Sequence, residues 1–351
     1  MNIILIILVF GVIIFFHELG HFIVAKMNHI TVKEFSMGLG PKLFSFKKKE
    51  TQYSLRLIPL GGYCMMLSED EEENENDENS FDKKSIWARM AVVLAGPFMN
   101  IVIAFIFSVI LIHFCGTDPA TIGQVYDQEM AQDSEYADVV KDGDRVLNIG
   151  GCSIKNFREL QIYLEIYGDG SPIDLELQRK DGTVYDTTVY PVKTSSGYKV
   201  GIMSCGYVLP ENFGELMKYS AYEVRYWVKA TFLSLKLIVT RQVSSDEVSG
   251  PVGVAKSMND TFKKAAKVDL LTVLLNWMNY IVLLSANLGI MNMLPIPGLD
   301  GGRFLFLLIE LITRRKVPKE KENIVTVIGF VLVMILMVVI LFNDIKNVFF
   351  S

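Results

Sequence analysis

Two imidazoles and one carboxylate fall within five residues at His17-Glu18-Leu19-Gly20-His21. At helical spacing, positions i and i+4 share a face, so both rings can ligate a single metal ion. Glu18, beside them, is then placed to act as a base toward a water held at the same point. Imidazole nitrogens at this spacing suit Zn²⁺, and water activation for hydrolysis is the chemistry that such a pair and base serve. With four histidines in 351 residues, a fortuitous pair at a helix end is the lesser reading.

The setting sharpens the expectation. Ile3 to Phe16 carries no charge and apolar character resumes from Phe22 to Ala25, enough for one helix to cross a bilayer. Ionisable residues are costly in such a span and mark function there. Two histidines do not complete a catalytic zinc site, which takes three protein ligands and an open position. The extension HExxHxxGxxH fails, with Val24 at the glycine and Met27 at the third histidine. His29 lies beyond the helix, His113 near the far end of another span, and Glu34 in a loop. A better source is Asn292-Met293-Leu294-Pro295-Ile296-Pro297-Gly298-Leu299-Asp300-Gly301-Gly302, where prolines and glycines break an apolar helix. Irregular backbone at membrane depth is tolerated where it lines a protein cavity. Asp300 is the only carboxylate between Asp269 and Glu310.

The elements that must position these residues are mostly apolar helices. Mean hydropathy is +0.33 and 51% of residues are apolar, which points to a membrane protein rather than a large soluble core. Spans are expected at about 2–25, 91–114, 270–294 and 324–342. Basic residues cluster in the loops after the first span and between the third and fourth, so both loops are expected in the cytoplasm. The N-terminus, the region 116–269 and the C-terminus would then lie outside. His17, about 21 Å along the first helix, and Asn292 and Asp300, reached from outside, would meet toward the cytoplasmic side. With no basic n-region and no cleavage site, the N-terminus reads as a retained span.

Between the first two spans, Thr31–Phe46 and Tyr53–Met66 are compatible with short strands around a Lys48–Thr51 turn. This apolar hairpin either links two spans or offers an edge strand to an extended substrate, with Gly38, Gly40, Gly61 and Gly62 at its bends. The net charge of −5 belongs to one segment: Glu69–Glu78 holds eight carboxylates, and without them the chain would carry +3. That acidic insert (68–82) reads as a solvated linker or a dock for a basic partner. Cys64, Cys115, Cys152 and Cys205 lack metal-ligand spacing, and a Cys115–Cys205 bridge stays open as an alternative. Phe213–Val243 carries Glu215, Glu223, Arg225, Lys229, Lys236 and Arg241, so it reads as an amphipathic helix on the membrane rather than a span. Ser249–Gly253 reads as a turn.

Lys141–Gly151 (KDGDRVLNIGG), a helix at Phe157–Tyr167 and a hairpin around Lys180–Gly182 together resemble a PDZ domain. Ala137–Lys141 replaces the small, apolar lead usual there, so peptide binding and a steric filter are equal readings of this region. HELGH in the first span, GLGP in the loop, AGPFMN in the second span, SGPVG and NMLPIPGLDGG together resemble the site-2 protease family. The nearest branch is the bacterial, PDZ-containing one of the regulator of sigma-E protease type. The resemblance implies one catalytic Zn²⁺ on His17, His21 and Asp300, Glu18 as base, Asn292 beside the reacting peptide and Pro295 shaping its backbone. It implies single-span membrane proteins or signal-peptide remnants as substrates, the bacterial plasma membrane as location, and no nucleic-acid partner. The fold class expected is an α-helical polytopic membrane protein of about four transmembrane helices. It carries a membrane-associated β-hairpin and an inserted extracytoplasmic PDZ-like α/β domain. The expected parts are a membrane domain (1–115), the PDZ-like domain (116–203), an amphipathic helical linker (204–267) and a second membrane domain (268–351). A zinc protease that cuts exposed loops and a non-catalytic scaffold are the rival readings.

Overall fold

The uncharged run after the N-terminus forms a single helix, α1 (Asn2–Met27). It ends in a Schellman turn: Ile30 N–H donates to Ala25 O at 2.9 Å and His29 N–H to Lys26 O at 3.1 Å. His29 holds the left-handed position there (φ 53°), which accounts for a histidine outside the helical pattern. β1 (Val32–Lys48) and β2 (Thr51–Met66) follow, then α2 (Ile86–Cys115). The middle of the chain holds β3 (Ile122–Val125), β4 (Arg145–Ile149), β5 (Cys152–Ser153) and α3 (Phe157–Tyr167), then β6 (Ile173–Gln178) and β7 (Val184–Val189). The short strands β8 (Val192–Thr194), β9 (Gly197–Lys199) and β10 (Ile202–Ser204) come next. The last third is helical: α4 (Phe213–Val239), α5 (Pro251–Ala265), α6 (Leu270–Asn292), α7 (Asp300–Thr313) and α8 (Lys319–Phe349).

This computed structural model describes residues 2–67, 77–125, 140–194, 197–240 and 250–349. Most of the acidic block, Ala137–Val139 and Ser249 lie outside the described residues. Four helices are long and apolar enough to cross a membrane: α1, α2, α6 and α8. The chain divides into one unit of residues 1–107 with 231–351 and another of 108–230, the divisions falling inside α2 and α4.

In the first unit the hairpin is folded over on itself. Residues 34–37 of β1 pair with 62–65 of β2 on one side and with 52–55 on the other, while 42–48 pair with 51–56. Gly38 (φ 88°) and Gly61 (φ 119°) make the bends, and a Cβ on Gly38 would stand 2.8 Å from Ile58 O. Arg56 secures the fold by donating to Gly40 O at 2.7 Å and to Glu34 Oε1 at 3.0 Å. Burial pushes the Glu34 carboxyl up, but hydrogen bonds from Ser54, Arg56, Tyr63 and Lys42 outweigh it and hold the group below its ordinary value. The consequence is that residues 62–66 form the outer rung of a small sheet rather than one leg of a flat ribbon.

Val9 and Ile13 of α1 pack with Ile103 of α2, Met258 and Phe262 of α5 and Ile281 of α6. A second core joins Ala25, Val32, Met66, Val92 and Leu307, so α7 is held against α1, the hairpin and α2. Arg89 adds a fork of bonds to Glu310 of α7, at 3.0 and 2.5 Å. The SGPVG stretch corrects the turn reading: Gly250 is the N-cap of α5 and Pro251 its first residue. Asp344 of α8 accepts from the backbone N–H groups of Gly250, Val252 and Gly253 at 2.8, 2.9 and 2.9 Å. A buried carboxylate on a helix N-terminus satisfies donors that α5 cannot pair internally. Asp344→Ala strands them and is expected to destabilise the protein by about 3 kcal/mol. Thermal unfolding of the purified protein in detergent would show this as a lowered midpoint, and an unchanged midpoint would refute it.

The second unit packs α3 on an antiparallel sheet of order β5-β4-β6-β7, with Leu160, Leu175, Leu177 and Val146 in its core. The predicted helix and the hairpin around Lys180–Gly182 lie where the sequence pattern places them. Three of the charges on α4 have protein partners here. Glu159 of α3, fully buried, accepts from Arg225 at 2.8 Å and Lys229 at 3.0 Å, and Arg158 pairs with Glu223. The four cysteines are free, so Cys115 and Cys205 are not bridged.

Candidate active site

The i, i+4 spacing of His17 and His21 on α1 puts both rings on one face, and α7 brings a carboxylate to it. The two Nε2 atoms are 3.3 Å apart, and Asp300 Oδ2 stands 3.2 Å from that of His17 and 3.5 Å from that of His21. An ion held tetrahedrally at about 2.0–2.2 Å sets its donor atoms about 3.3–3.6 Å apart. The triangle comes close to these dimensions. Although close to both rings, Asp300 Oδ2 is buried without a hydrogen-bond partner, so three lone-pair atoms converge on one point. Among the described residues this is the one group of three His, Cys, Asp or Glu side chains so arranged. The donor set, its spacing and the unpartnered oxygen fit Zn²⁺.

Each candidate ligand atom is positioned from behind. His21 Nδ1–H donates to Val92 O of α2 at 2.8 Å, which leaves Nε2 with its lone pair. His17 Nδ1 lies 3.1 Å from the amide of Asn100, also on α2. Between them sits Gly96, where a Cβ would be 2.3 Å from His21 Nε2 and 2.8 Å from His17 Cε1. Gly20 plays the matching part on α1, since a Cβ there would meet Ala95 O at 2.3 Å. Asp300 opens α7 because the preceding loop folds back onto it. A Cβ on Gly301 would meet Leu294 O at 2.2 Å and one on Gly302 would meet Ile296 O at 2.4 Å. Pro295 lies within this loop.

Glu18 faces a cavity of about 350 Å³ that it lines with His17, His21, Asp300 and the rung Tyr63–Met66. The Cys64 backbone N–H hydrogen-bonds the Glu18 carboxylate, and a Cβ on Gly62 would come within 3.2 Å of Glu18 Cγ. Asn292 Nδ2 lies 3.4 Å from His17 Nε2, on the ligand side of the ring. The structure thus gathers His17, Glu18, His21, Asn292, Asp300 and Gly62. Gly38, Gly40 and Gly61 serve the bends of the hairpin and are not among the cavity-lining residues described. Sequence reasoning missed Gly96 and Asn100, which enter it only within AGPFMN. The i, i+4, i+8 spacing of Val92, Gly96 and Asn100 was the available signal.

A model of peptidase family M50 matches residues 5–336. The chain belongs to peptidase family M50, the site-2 proteases. As an M50 peptidase it is a zinc metalloprotease and a multi-pass membrane protein. It is 37% identical over 346 residues to a Clostridium acetobutylicum protein named as a candidate zinc metalloprotease, covering 98% of this chain and 97% of that one. It is 30% identical over 426 residues to the Regulator of sigma-W protease RasP of Bacillus subtilis, covering 98% of each. The Zinc metalloprotease RasP of Geobacillus kaustophilus is also 30% identical, over 428 residues, covering 99% of this chain and 98% of that one. Both RasP alignments are longer than the 351 residues of this M50 peptidase, so the RasP chains carry additional segments. A PDZ domain of an SdrC-like protein from Listeria monocytogenes aligns with 25% of this chain and 87% of its own, at 20% identity and a TM-score of 0.21. That score does not establish a shared fold.

Proposed function

We propose that this M50 peptidase hydrolyses peptide bonds within or beside the transmembrane segments of single-span membrane proteins or signal-peptide remnants. The observation that carries the reading is the His17–His21–Asp300 triangle, built from a helix apolar enough to span a membrane and a loop that breaks another. These three residues would hold one Zn²⁺, which when bound would supply Lewis-acid activation of water and of the scissile carbonyl. Glu18 takes the proton of the attacking water and returns it to the departing amine. The Cys64 N–H keeps the Glu18 carboxylate turned to the cavity. The Asn292 amide donates to the carbonyl oxygen as charge develops on it, and Pro295 sets the backbone that carries Asn292 and Asp300.

A substrate helix hides its peptide bonds, so it must unwind before Glu18 can act. The outer rung 62–66 then pairs with the extended peptide and satisfies its freed backbone groups. Gly62 keeps this rung close to Glu18. Gly62→Val forces the two apart and is expected to slow cleavage roughly 100-fold while zinc content stays at the level of the unaltered protein. Loss of zinc in that variant would contradict the separation of roles.

The basic loops support a metal site toward the cytoplasm, with the N-terminus, the 108–230 unit and the C-terminus outside, and the family resemblance supports a bacterial plasma membrane. That unit filters or binds the outer part of the substrate, in the manner of a PDZ domain. The relative that is named a regulator of sigma-W supports membrane-anchored regulators, such as anti-sigma factors, as the substrate class. The test is co-expression with a tagged single-span protein of truncated outer domain, with either a helix-breaking or an all-leucine centre. A smaller product from the first and none from the second is expected. Equal cleavage of both, or cleavage confined to exposed tails, would overturn the proposal.

A further inference from the structure

Two histidines that share one ion must each present a ring nitrogen with its lone pair free, here Nε2 of both, and each needs a partner on the other nitrogen to fix the tautomer. For His21 that partner is a backbone carbonyl, Val92 O. For His17 the atom 3.1 Å away belongs to a side chain, the amide of Asn100, which is completely buried. The amide has two orientations. With its NH₂ toward the ring, Nδ1 of His17 becomes the acceptor, the ring proton moves to Nε2, and that proton faces Asp300 and His21. In this orientation Asn100 Oδ1 is also left buried with no partner. With its oxygen toward the ring, Nδ1–H donates, Nε2 keeps its lone pair and the oxygen gains a donor, while the NH₂ takes the other, unpartnered position.

We propose that Asn100 is a positioning residue for the metal centre, its amide oxygen accepting from His17 Nδ1–H and so holding the Nε2 lone pair toward His21 and Asp300. The inference rests on the ligand set proposed above. Val92, Gly96 and Asn100 form one stripe along α2: the first orients His21, the second makes room for both rings, and the third orients His17. A polar residue that merely tied two helices together by donating its N–H would give the opposite amide orientation.

The two roles separate on substitution. Asp supplies an acceptor oxygen and no donor, whereas Ala supplies neither. Zinc affinity of the purified full chain in detergent, measured by competition with a chelator, is the readout, and helix content and a single eluting species confirm the fold. Asn100→Ala is expected to lower zinc affinity about 10- to 100-fold, and Asn100→Asp to stay within a few-fold of the unaltered protein. If the Ala variant does not fold, Asn100→Ser is read in its place with the same expected loss. Unchanged affinity in Asn100→Ala would overturn the proposal, as would an Asp variant as weak as the Ala variant. His17→Ala is measured alongside. Its loss of zinc with Asn100→Ala unaffected removes only the role of Asn100, while retention of zinc in both removes the ligand set as well.

Discussion

Glu18→Gln is expected to abolish measurable cleavage while leaving zinc in place. Glutamine keeps the size and hydrogen-bonding reach of the side chain but cannot take a proton from water. General bases contribute about 10²–10⁴-fold to such reactions, so the rate should fall by at least that factor. None of the three proposed ligand atoms belongs to Glu18, so one equivalent of zinc should remain. His21→Ala, by contrast, should lose zinc and cleavage together. Metal analysis beside a cleavage assay on the same preparations separates the two outcomes. Turnover by the Gln variant at the normal rate would remove Glu18 from the mechanism.

The second large effect is expected at a residue with no functional group. Gly96→Ala introduces a carbon 2.3 Å from His21 Nε2 and 2.6 Å from its Cε1. Neither ring can retreat freely, since His21 is tied to Val92 O and both sit on the one helix α1. Helix propensity favours Ala over Gly by about 1 kcal/mol, so the variant should form α2 at least as readily. It should nevertheless bind zinc at least 10-fold more weakly and lose cleavage with it, because ligand geometry tolerates little displacement. Full zinc occupancy in Gly96→Ala at low free zinc would show that the rings can rearrange, contrary to the packing described here.

These cases show where sequence speaks plainly. HELGH declares itself because ionisable residues in an apolar helix need a reason, and Asp300 because it is the lone carboxylate beside a broken helix. The four spans follow from composition alone. The β6–β7 hairpin and α3 follow from the local sequence pattern, while the structure adds the Asn156 cap of α3, whose side chain accepts from Glu159 N–H. Other features depend on partners distant in the chain. Asn100 and Gly96 carry no mark of function in sequence because the histidines they serve are some 80 positions away. The hairpin reads as two strands because pairing on both sides of residues 34–37 leaves no mark in a period of two. α7 was read only as part of a basic loop, although Phe304, Leu307 and Leu311 recur at helical spacing and pack on the core of α1 and α2. The charges on α4 suggested a membrane surface because Glu159, which neutralises two of them, cannot be paired with them from sequence.

The measurement that bears most directly on intramembrane cleavage is the mass of the fragments. The purified chain and a tagged single-span substrate with a helix-breaking centre would be reconstituted together in lipid vesicles, and the products weighed by mass spectrometry. The account predicts new termini inside the apolar span, present with the unaltered protein and absent with Glu18→Gln or after zinc chelation. Termini confined to an exposed loop or tail would contradict it and mark the chain as a zinc protease that works outside the bilayer.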